Sequence, residues 1–174
     1  MSAEEQIWHV DDKDRPIGSI GRNESRKRGA RYRMVRVSLE TRDGQILLQK
    51  RVGGKKSYPN CWDTSVGGNV GYGESYETAA LREASEEIGL VGLRFDEVAY
   101  YYGEILQQND RMNRFTKLYR AVVKTESDFE PKLEKSEVSE VRWVSLPQLK
   151  KIVDTGAITD GLAQVYEHYY SKQL

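Results

Sequence analysis

A glycine-rich loop that runs directly into a helix constrains this chain more than any other feature of its sequence. The loop reads GGNVGYGE over residues 67–74, and residues 75–88 contain neither glycine nor proline. Gly89 then supplies a residue suited to the left-handed conformation that ends a helix. Glycines ahead of the helix allow backbone groups to approach a metal ion or a phosphate where a side chain would intrude. The pattern therefore predicts a loop followed by a helix over 75–88.

Three carboxylates share one face of this predicted helix. Glu83, Glu86 and Glu87 stand at positions i, i+3 and i+4, so successive β-carbons lie about 5 to 6 Å apart and the charges repel. One interpretation is a solvated acidic face with Arg82 as a partial counterion. The other is a hard divalent cation, because Mg²⁺ prefers carboxylate oxygens together with water and substrate phosphates. Such a cation polarises phosphoryl oxygens and lowers the pKa of a bound water, whose proton a glutamate could accept.

Residues 68–90 resemble the Nudix box. Gly68 is followed after five residues by Glu74, and after seven more by the run REASEEIGL, in which Ala84 replaces a commonly bulkier aliphatic residue. The resemblance implies an α/β (α+β) fold, the Nudix α/β/α sandwich with a mixed β-sheet. It also implies an enzyme that uses Mg²⁺ or Mn²⁺ to cleave a diphosphate linked to another moiety by water attack on phosphorus. Because the box acts on the phosphates alone, the substrate stays open among ADP-ribose, a dinucleotide, a nucleoside triphosphate, a nucleotide sugar and an isoprenoid diphosphate.

The resemblance also implies roles for individual residues. Arg82 and Glu74 would hold the loop and the helix together by ion pairing. Some relatives draw the general base from a later loop instead of the box helix, and Glu137 is our preferred candidate there. The implied metal ligands are Gly68, through its carbonyl, with Glu83, Glu86 and Glu87; the catalytic residues are the same glutamates with Arg82; and the later-loop candidates are Glu134, Glu137 and Glu140.

A second stretch resembles the branch of the family that contains isopentenyl diphosphate isomerase. The similar residues are LLQKR at 47–51, Lys55-Lys56, Tyr58-Pro59, Trp62 and SVGG at 65–68. That isomerase moves a double bond by proton transfer, which offers a second class of function. Only the basic residues that contact the diphosphate in the isomerase are kept in this sequence, at Arg51 and Lys55. Because basic side chains bind any diphosphate, we predict that these two residues bind the substrate.

The other residues of the isomerase site are absent when they are carried over one by one. Its acid/base cysteine falls at Gly67, and Cys61 lies six residues upstream. Its metal ligands are also missing, because its histidines fall near Ser25, Tyr32 and Asn69 and its later glutamates near Met112 and Arg114. We therefore expect a hydrolase. A third alternative is a Nudix module that binds a ligand without cleaving it, but such modules often lose glutamates from the box, which is intact here.

Composition limits the partners and the location. Lysine plus arginine and aspartate plus glutamate each total 27, so there is no general attraction to nucleic acid or to an anionic membrane. No apolar stretch approaches the roughly 20 residues that cross a bilayer. Cys61 is the only cysteine, and the first residues carry acids where a signal peptide carries bases. We expect a cytoplasmic protein with a single domain over 1–174 that binds a small-molecule diphosphate, with no nucleic acid and no membrane partner.

Further elements follow from the residue patterns. An amino-terminal hairpin at about 7–20 is too small to be stable alone, so it should pair with the main sheet or with a second subunit in a homodimer. Basic residues concentrate at 22–36, either as a solvated connection or as an electropositive wall beside a phosphate site. The tyrosines at 72, 76 and 100–102 should pack in the core or an interface, or stack on a nucleobase. The remaining predicted elements are strands at 35–39, 46–49, 97–102, 115–123 and 141–144, a helix from Ser145 to about Asp154, and a helix from about Thr159.

Overall fold

A mixed β-sheet organises the computed structural model, which describes residues 4–173. The strands of this part of the chain are β1 (Gln6–Val10), β2 (Pro16–Gly21), β3 (Arg31–Thr41), β4 (Ile46–Arg51), β5 (Trp62–Asp63), β6 (Val66–Asn69), β7 (Asp96–Gln107), β8 (Asp110–Val123) and β9 (Val138–Val144). The helices are α1 (Arg22–Arg28), α2 (Tyr76–Ile88), α3 (Leu146–Asp154) and α4 (Asp160–His168), with short 3₁₀ turns at Glu126–Asp128 and Tyr170–Gln173. None of these helices is long and apolar enough to cross a membrane.

Strand β3 is the centre of the sheet. It runs parallel to β8 along its whole length, with Arg31 opposite Asn113 and Thr41 opposite Val123. It is antiparallel to β6, β4 and β1, while β7 pairs with the far side of β8 and β9 with β4. The predicted mixed sheet is therefore confirmed, and β6 brings the glycines of the box against the central strand.

Helices cover both faces of this sheet because successive strand residues point to opposite sides. On one face Val35, Val37 and Leu39 of β3 pack with the alanines and Ile88 of α2. On the other face Leu118 of β8 packs with residues of α3 and α4. The predicted α/β/α sandwich is confirmed.

The predicted helix boundaries agree with the structure. Ser75 caps α2 by accepting a hydrogen bond from the Thr78 amide, and Gly89 ends it with φ of 72°. Ser145 caps α3 in a reciprocal arrangement with Gln148, and Thr159 caps α4. These ends depend on hydrogen bonds within one turn, which is why the sequence predicts them.

The amino-terminal hairpin pairs with the chain's own sheet, which is the first of the two alternatives. His9 of β1 lies opposite Tyr32 of β3. The hairpin also reaches the box loop: the Trp8 indole donates to the Glu74 carbonyl at 2.8 Å, and the Tyr72 amide donates to the Gln6 carbonyl at 3.0 Å. The hairpin thus supports the loop that precedes α2.

The basic segment at 22–36 is a solvated connection only in its first part, where Arg22, Lys27 and Arg28 are exposed. Its first part is the helix α1, and its second part is the start of the central strand β3. Arg33 pairs with Asp14 and Arg36 with Asp63, each at 2.6 Å, so neither charge contributes to an electropositive wall. The acidic partners are distant in sequence, and a local pattern does not reveal them.

Candidate active site

Glycine at position 68 makes room for one of the box carboxylates. A β-carbon there would lie 2.1 Å from the carboxyl carbon of Glu83 and 2.2 Å from its Oε1. Contacts under 3.0 Å do not occur at real β-carbons. Strand β6 and helix α2 therefore place the Glu83 carboxylate against the bare backbone of Gly68, and the resemblance implies that both residues are metal ligands.

Glu87 lies deeper between the same two elements. Its Oε2 accepts hydrogen bonds from the Gly67 amide at 3.2 Å and from the Gln49 side chain at 3.1 Å. Burial, with a smaller contribution from the charge of Glu83, raises the pKa of Glu87 to about 8. Burial also raises the pKa of Glu83. Partial burial thus disfavours the charged form of both carboxylates, and a bound cation would offset this cost.

Arg82 connects the loop to the helix. Its Nε and Nη2 donate to the two carboxylate oxygens of Glu74 at 2.7 and 2.9 Å, and Nη2 also donates to the Asn69 carbonyl at 3.2 Å. Its Nη1 reaches Glu83 at 2.8 Å and Glu86 at 3.3 Å. The hydrogen bonds from Arg82 lower the pKa of Glu74. This bidentate pair is the supporting role that the resemblance implies.

The oxygen atoms of the box glutamates are of the type that a hard divalent cation binds, but the three carboxylates do not surround one point. Among residues 4–173, no three acidic, histidine or cysteine side chains surround a common point. Glu83 and Glu86 instead face the Arg82 guanidinium. Oxygen donors on one helix face, with a glycine backbone beside them, are the ligands that Mg²⁺ or Mn²⁺ would use. A cation at this position would compete with Arg82 for two of the three glutamates.

The site includes two residues that the sequence analysis missed. Gln49 of β4 donates to Glu87, and Glu5 accepts a hydrogen bond of 3.2 Å from the Asn69 side chain. The charge of Glu5 is among the smaller causes that raise the pKa of Glu83. Both residues are distant from the box in sequence and reach it only through sheet pairing, so no local signal indicates them.

The predicted substrate-binding residues lie at the end of β4, for Arg51, and in the connection between β4 and β5, for Lys55. Arg51 donates to the Ser57 carbonyl at 3.2 Å, which shapes this connection. The ammonium group of Lys55 forms an ion pair with the Glu137 carboxylate. The residue predicted to bind phosphate and the preferred candidate for a later-loop base are therefore in contact with each other.

The later loop is attached to the box helix. The amides of Lys132 and Glu134 donate to the carbonyls of Ile88 and Glu87 at 2.9 and 3.0 Å. The Glu137 amide donates in turn to the Glu134 carbonyl at 2.9 Å. The other two candidate bases have other contacts: Glu134 accepts from Ser136, and Glu140 lies 3.8 Å from Lys50 and 3.1 Å from Arg142.

The positions that correspond to the isomerase metal ligands are buried, and two of them, Tyr32 and Met112, lie beside Arg114. Tyr32 and Arg114 are opposite each other on β3 and β8. Arg114 pairs with Asp160, and its Nη1 lies 3.8 Å from the Met112 sulfur. At Gly67, where the isomerase cysteine falls, a β-carbon would lie 2.5 Å from Arg36 Nη1. Arg114 therefore stands at one of the positions that correspond to the isomerase's later glutamates, and Arg36 lies beside the position that corresponds to its cysteine.

Several residues that the sequence analysis considered have packing roles. Tyr101 stacks on His168 at 4.3 Å, and the hydroxyls of Tyr76 and Tyr100 each donate to Asp14 at 2.9 Å. These contacts join the hairpin, α2, β7 and α4. The packing interpretation is confirmed for Tyr101 and fits the partly buried Tyr76, whereas Tyr100 is 49% exposed and its role stays a prediction.

A family model supports what the geometry suggests. The NUDIX domain model matches residues 31–167, which is most of the chain. The chain belongs to the Nudix hydrolase family. A Nudix hydrolase of Streptomyces coelicolor is 41% identical over 101 residues, an alignment that covers 58% of this chain and 56% of that relative. This Nudix chain thus spans just over half the length of that relative.

Two further similarities agree with the predicted branch and fold. The protein named isopentenyl-diphosphate Delta-isomerase 2 of Photorhabdus laumondii is 31% identical over 145 residues, covering 83% of the Nudix chain and 80% of the isomerase. A crystal structure from Deinococcus radiodurans superposes with a TM-score of 0.76 at 26% identity and covers 95% of this chain and 99% of that one. The resemblance to the isomerase branch is confirmed at the level of sequence.

Proposed function

We propose that this Nudix hydrolase is a metal-dependent diphosphohydrolase that cleaves a diphosphate linked to another moiety, such as a nucleoside diphosphate-X, by water attack on phosphorus. The observation that carries the proposal is the close contact of the Glu83 carboxylate with Gly68, together with the hydrogen bond that Glu87 accepts from the Gly67 amide. An acidic helix face that served only solubility would be exposed, whereas these two carboxylates are enclosed by the loop that precedes their own helix.

Each residue of the site has a task in this reaction. Glu83, Glu86, Glu87 and the Gly68 carbonyl would hold Mg²⁺ or Mn²⁺, which when bound neutralises phosphate charge and lowers the pKa of water. Arg82 fixes the loop on the helix through Glu74. Arg51 at the end of β4 and Lys55 in the β4–β5 connection bind and orient the diphosphate. The water oxygen forms a bond to phosphorus, the bridging phosphorus–oxygen bond breaks, and a carboxylate accepts the proton.

The isomerase alternative receives no support from the side chains. Proton transfer to a double bond requires an acid near the substrate carbon, and position 67 has no side chain to supply it. The Arg114 guanidinium, paired with Asp160, replaces the later metal ligands. A role in ligand binding alone would not require the complete set of box glutamates that the sequence retains.

A substrate panel tests the proposal. The panel contains ADP-ribose, a dinucleotide, a nucleoside triphosphate, a nucleotide sugar and isopentenyl diphosphate, with Mg²⁺ and with release of phosphate or nucleotide as the readout. We expect one class to be cleaved and Glu87→Gln to lower kcat by about 100-fold or more. The matched control is Glu77→Gln, an exposed acid in the first turn of the same helix. Isomerisation of isopentenyl diphosphate without hydrolysis of any compound would overturn the proposal.

Oligomeric state and location stay predictions. A homodimer would give about twice the chain mass of 20.0 kDa in size exclusion with light scattering. Fractionation of cells would test the expected cytoplasmic location.

A further inference from the structure

Gln49 is a buried polar residue that lies outside the box and faces its helix. It is 3% exposed, and its strand β4 is paired on both sides, so that Gln49 lies opposite Asp63 of β5 and Val141 of β9. Leu47, two residues earlier and therefore on the same face of the strand, packs in the core that α2 covers. The sheet thus fixes the backbone of Gln49 and directs its side chain toward α2.

The Gln49 side chain uses its donor group and leaves its acceptor unpaired. Its Nε2 donates to Glu87 Oε2 at 3.1 Å, whereas its own Oε1 is buried and has no partner among residues 4–173. A buried amide oxygen without a protein partner lowers stability instead of raising it. The contribution of this amide to the molecule therefore lies in its donor group and in Glu87, which accepts the hydrogen bond.

The two oxygens of the Glu87 carboxylate have different surroundings. Oε2 accepts from the Gln49 side chain and, at 3.2 Å, from the Gly67 amide. Within the described part of the chain, no hydrogen bond or ion pair reaches Oε1. Hydrogen bonds to a carboxylate favour its charged form, which is the form that binds a cation. Glu87 therefore holds one oxygen against the protein and leaves the other available to a ligand.

We propose that Gln49 is a positioning residue of the metal site, which together with the Gly67 amide holds one oxygen of Glu87 and leaves the other for the cation. This inference rests on the proposed function, because it requires that Glu87 binds Mg²⁺ or Mn²⁺. It adds a residue from outside the box and assigns the oxygen, since Glu87 then binds the cation through Oε1 alone.

Replacing Gln49 by methionine removes the donor at nearly constant side-chain length. Loss of a residue that orients a metal ligand costs about 10–100-fold in metal affinity. Because the Gly67 amide continues to hold Glu87, we expect the affinity for Mn²⁺ to fall by about tenfold. The same substitution removes the unpaired oxygen, so the metal-free protein should unfold near the wild-type temperature. A residue that served only packing would show the opposite result, a lower unfolding temperature with unchanged metal affinity.

Mn²⁺ alone is the probe, so the experiment needs no substrate. Free Mn²⁺ is measured by electron paramagnetic resonance during titration of wild-type protein, Gln49→Met and Gln45→Met. Gln45 is the control, because it is a partly exposed glutamine just before β4, and its substitution should leave the affinity unchanged. Gln49→Asn keeps the amide on a shorter side chain and should lose affinity as Gln49→Met does, so it provides the test if Gln49→Met fails to fold.

A double-mutant cycle with Glu87→Gln shows whether Gln49 acts through Glu87. We expect Gln49→Met to lower the Mn²⁺ affinity of the wild-type protein by about tenfold and that of Glu87→Gln by less than about twofold, because the two residues share one contact. An equal loss in both backgrounds would overturn the inference. Wild-type affinity in a folded Gln49→Met protein would also overturn it.

A failure of the proposed function gives different results. Wild-type protein that binds Mn²⁺ but cleaves no compound of the substrate panel would overturn the proposed hydrolysis alone. Wild-type protein that binds no Mn²⁺ would overturn the proposed metal dependence and, with it, the role of Gln49.

Discussion

Replacing Gly68 by alanine tests the central geometric claim about the active site. The new methyl group would lie 2.1 Å from the carboxyl carbon of Glu83, so the two cannot coexist. Gly68 lies in strand β6 and has no positive φ, so the backbone itself accepts alanine. The carboxylate at the end of the flexible Glu83 side chain is the group that must move. The expected result is a folded protein whose metal site has lost one ligand.

The magnitude follows from the contacts of Glu83. Its side chain is 13% exposed and accepts a hydrogen bond of 2.8 Å from Arg82. A hydrogen bond to a charged group contributes about 1.5–3 kcal/mol, and the displaced carboxylate recovers part of this from water. Alanine also restricts the unfolded chain, which favours folding by about 0.4–1 kcal/mol. We therefore expect a net loss of about 1 kcal/mol, or about 2–4 °C in Tm for a chain of this size.

Metal binding should suffer more than stability. Loss of residues that only orient metal ligands costs about 10–100-fold in affinity, and displacement of a ligand should cost no less. The assay is Mn²⁺ binding by calorimetry and by electron paramagnetic resonance, with thermal unfolding of the same samples. Gly18→Ala is the control, because a β-carbon there meets nothing within 4 Å. Wild-type affinity for Mn²⁺ in a folded Gly68→Ala protein would refute the placement of Glu83 against Gly68.

Three further predictions concern the rest of the molecule. Asp63→Asn leaves the buried Arg36 charge without its charged partner, and we expect the free energy of unfolding, measured with urea, to fall by about 3–5 kcal/mol. A loss below about 1 kcal/mol would contradict the pairing. Tyr76→Phe removes one hydrogen bond to Asp14 and should cost about 1 kcal/mol with kcat unchanged, so a large loss of activity would show that the hairpin contact acts on catalysis. Removal of divalent cations with a chelator should abolish hydrolysis while the far-ultraviolet circular dichroism spectrum is kept, and Mg²⁺ should restore it; activity that survives exhaustive chelation would contradict metal dependence.

Local patterns account for the parts of the fold that the sequence predicted well. Ser75, Ser145 and Thr159 each cap a helix by accepting an amide hydrogen bond within one turn. Such contacts depend on neighbouring residues, so a short stretch of sequence contains the whole interaction. The same holds for the spacing of the box glutamates, because a helix places residues i, i+3 and i+4 on one face whatever surrounds it.

Other elements depend on partners that a short stretch does not contain. Strand β3 begins with basic residues, yet it is the centre of the sheet because Asp14 and Asp63 neutralise Arg33 and Arg36. Strand β6 is rich in glycine and has little intrinsic strand preference, but pairing with β3 fixes it in the sheet. The second part of the basic segment is a central strand instead of a solvated connection for the same reason.

The sequence by itself determined the carboxylate-rich helix, its glycine-rich approach and the motif that identifies the family to which the chain belongs. Only the tertiary structure decided which side chains complete the site. It brought Gln49 and Glu5 to the box, and it paired Lys55 with Glu137 across two loops. The physical reason is range: helix caps and helix faces arise from contacts within a few residues, whereas sheet pairing and loop attachment join residues that are far apart in the chain and depend on the whole fold.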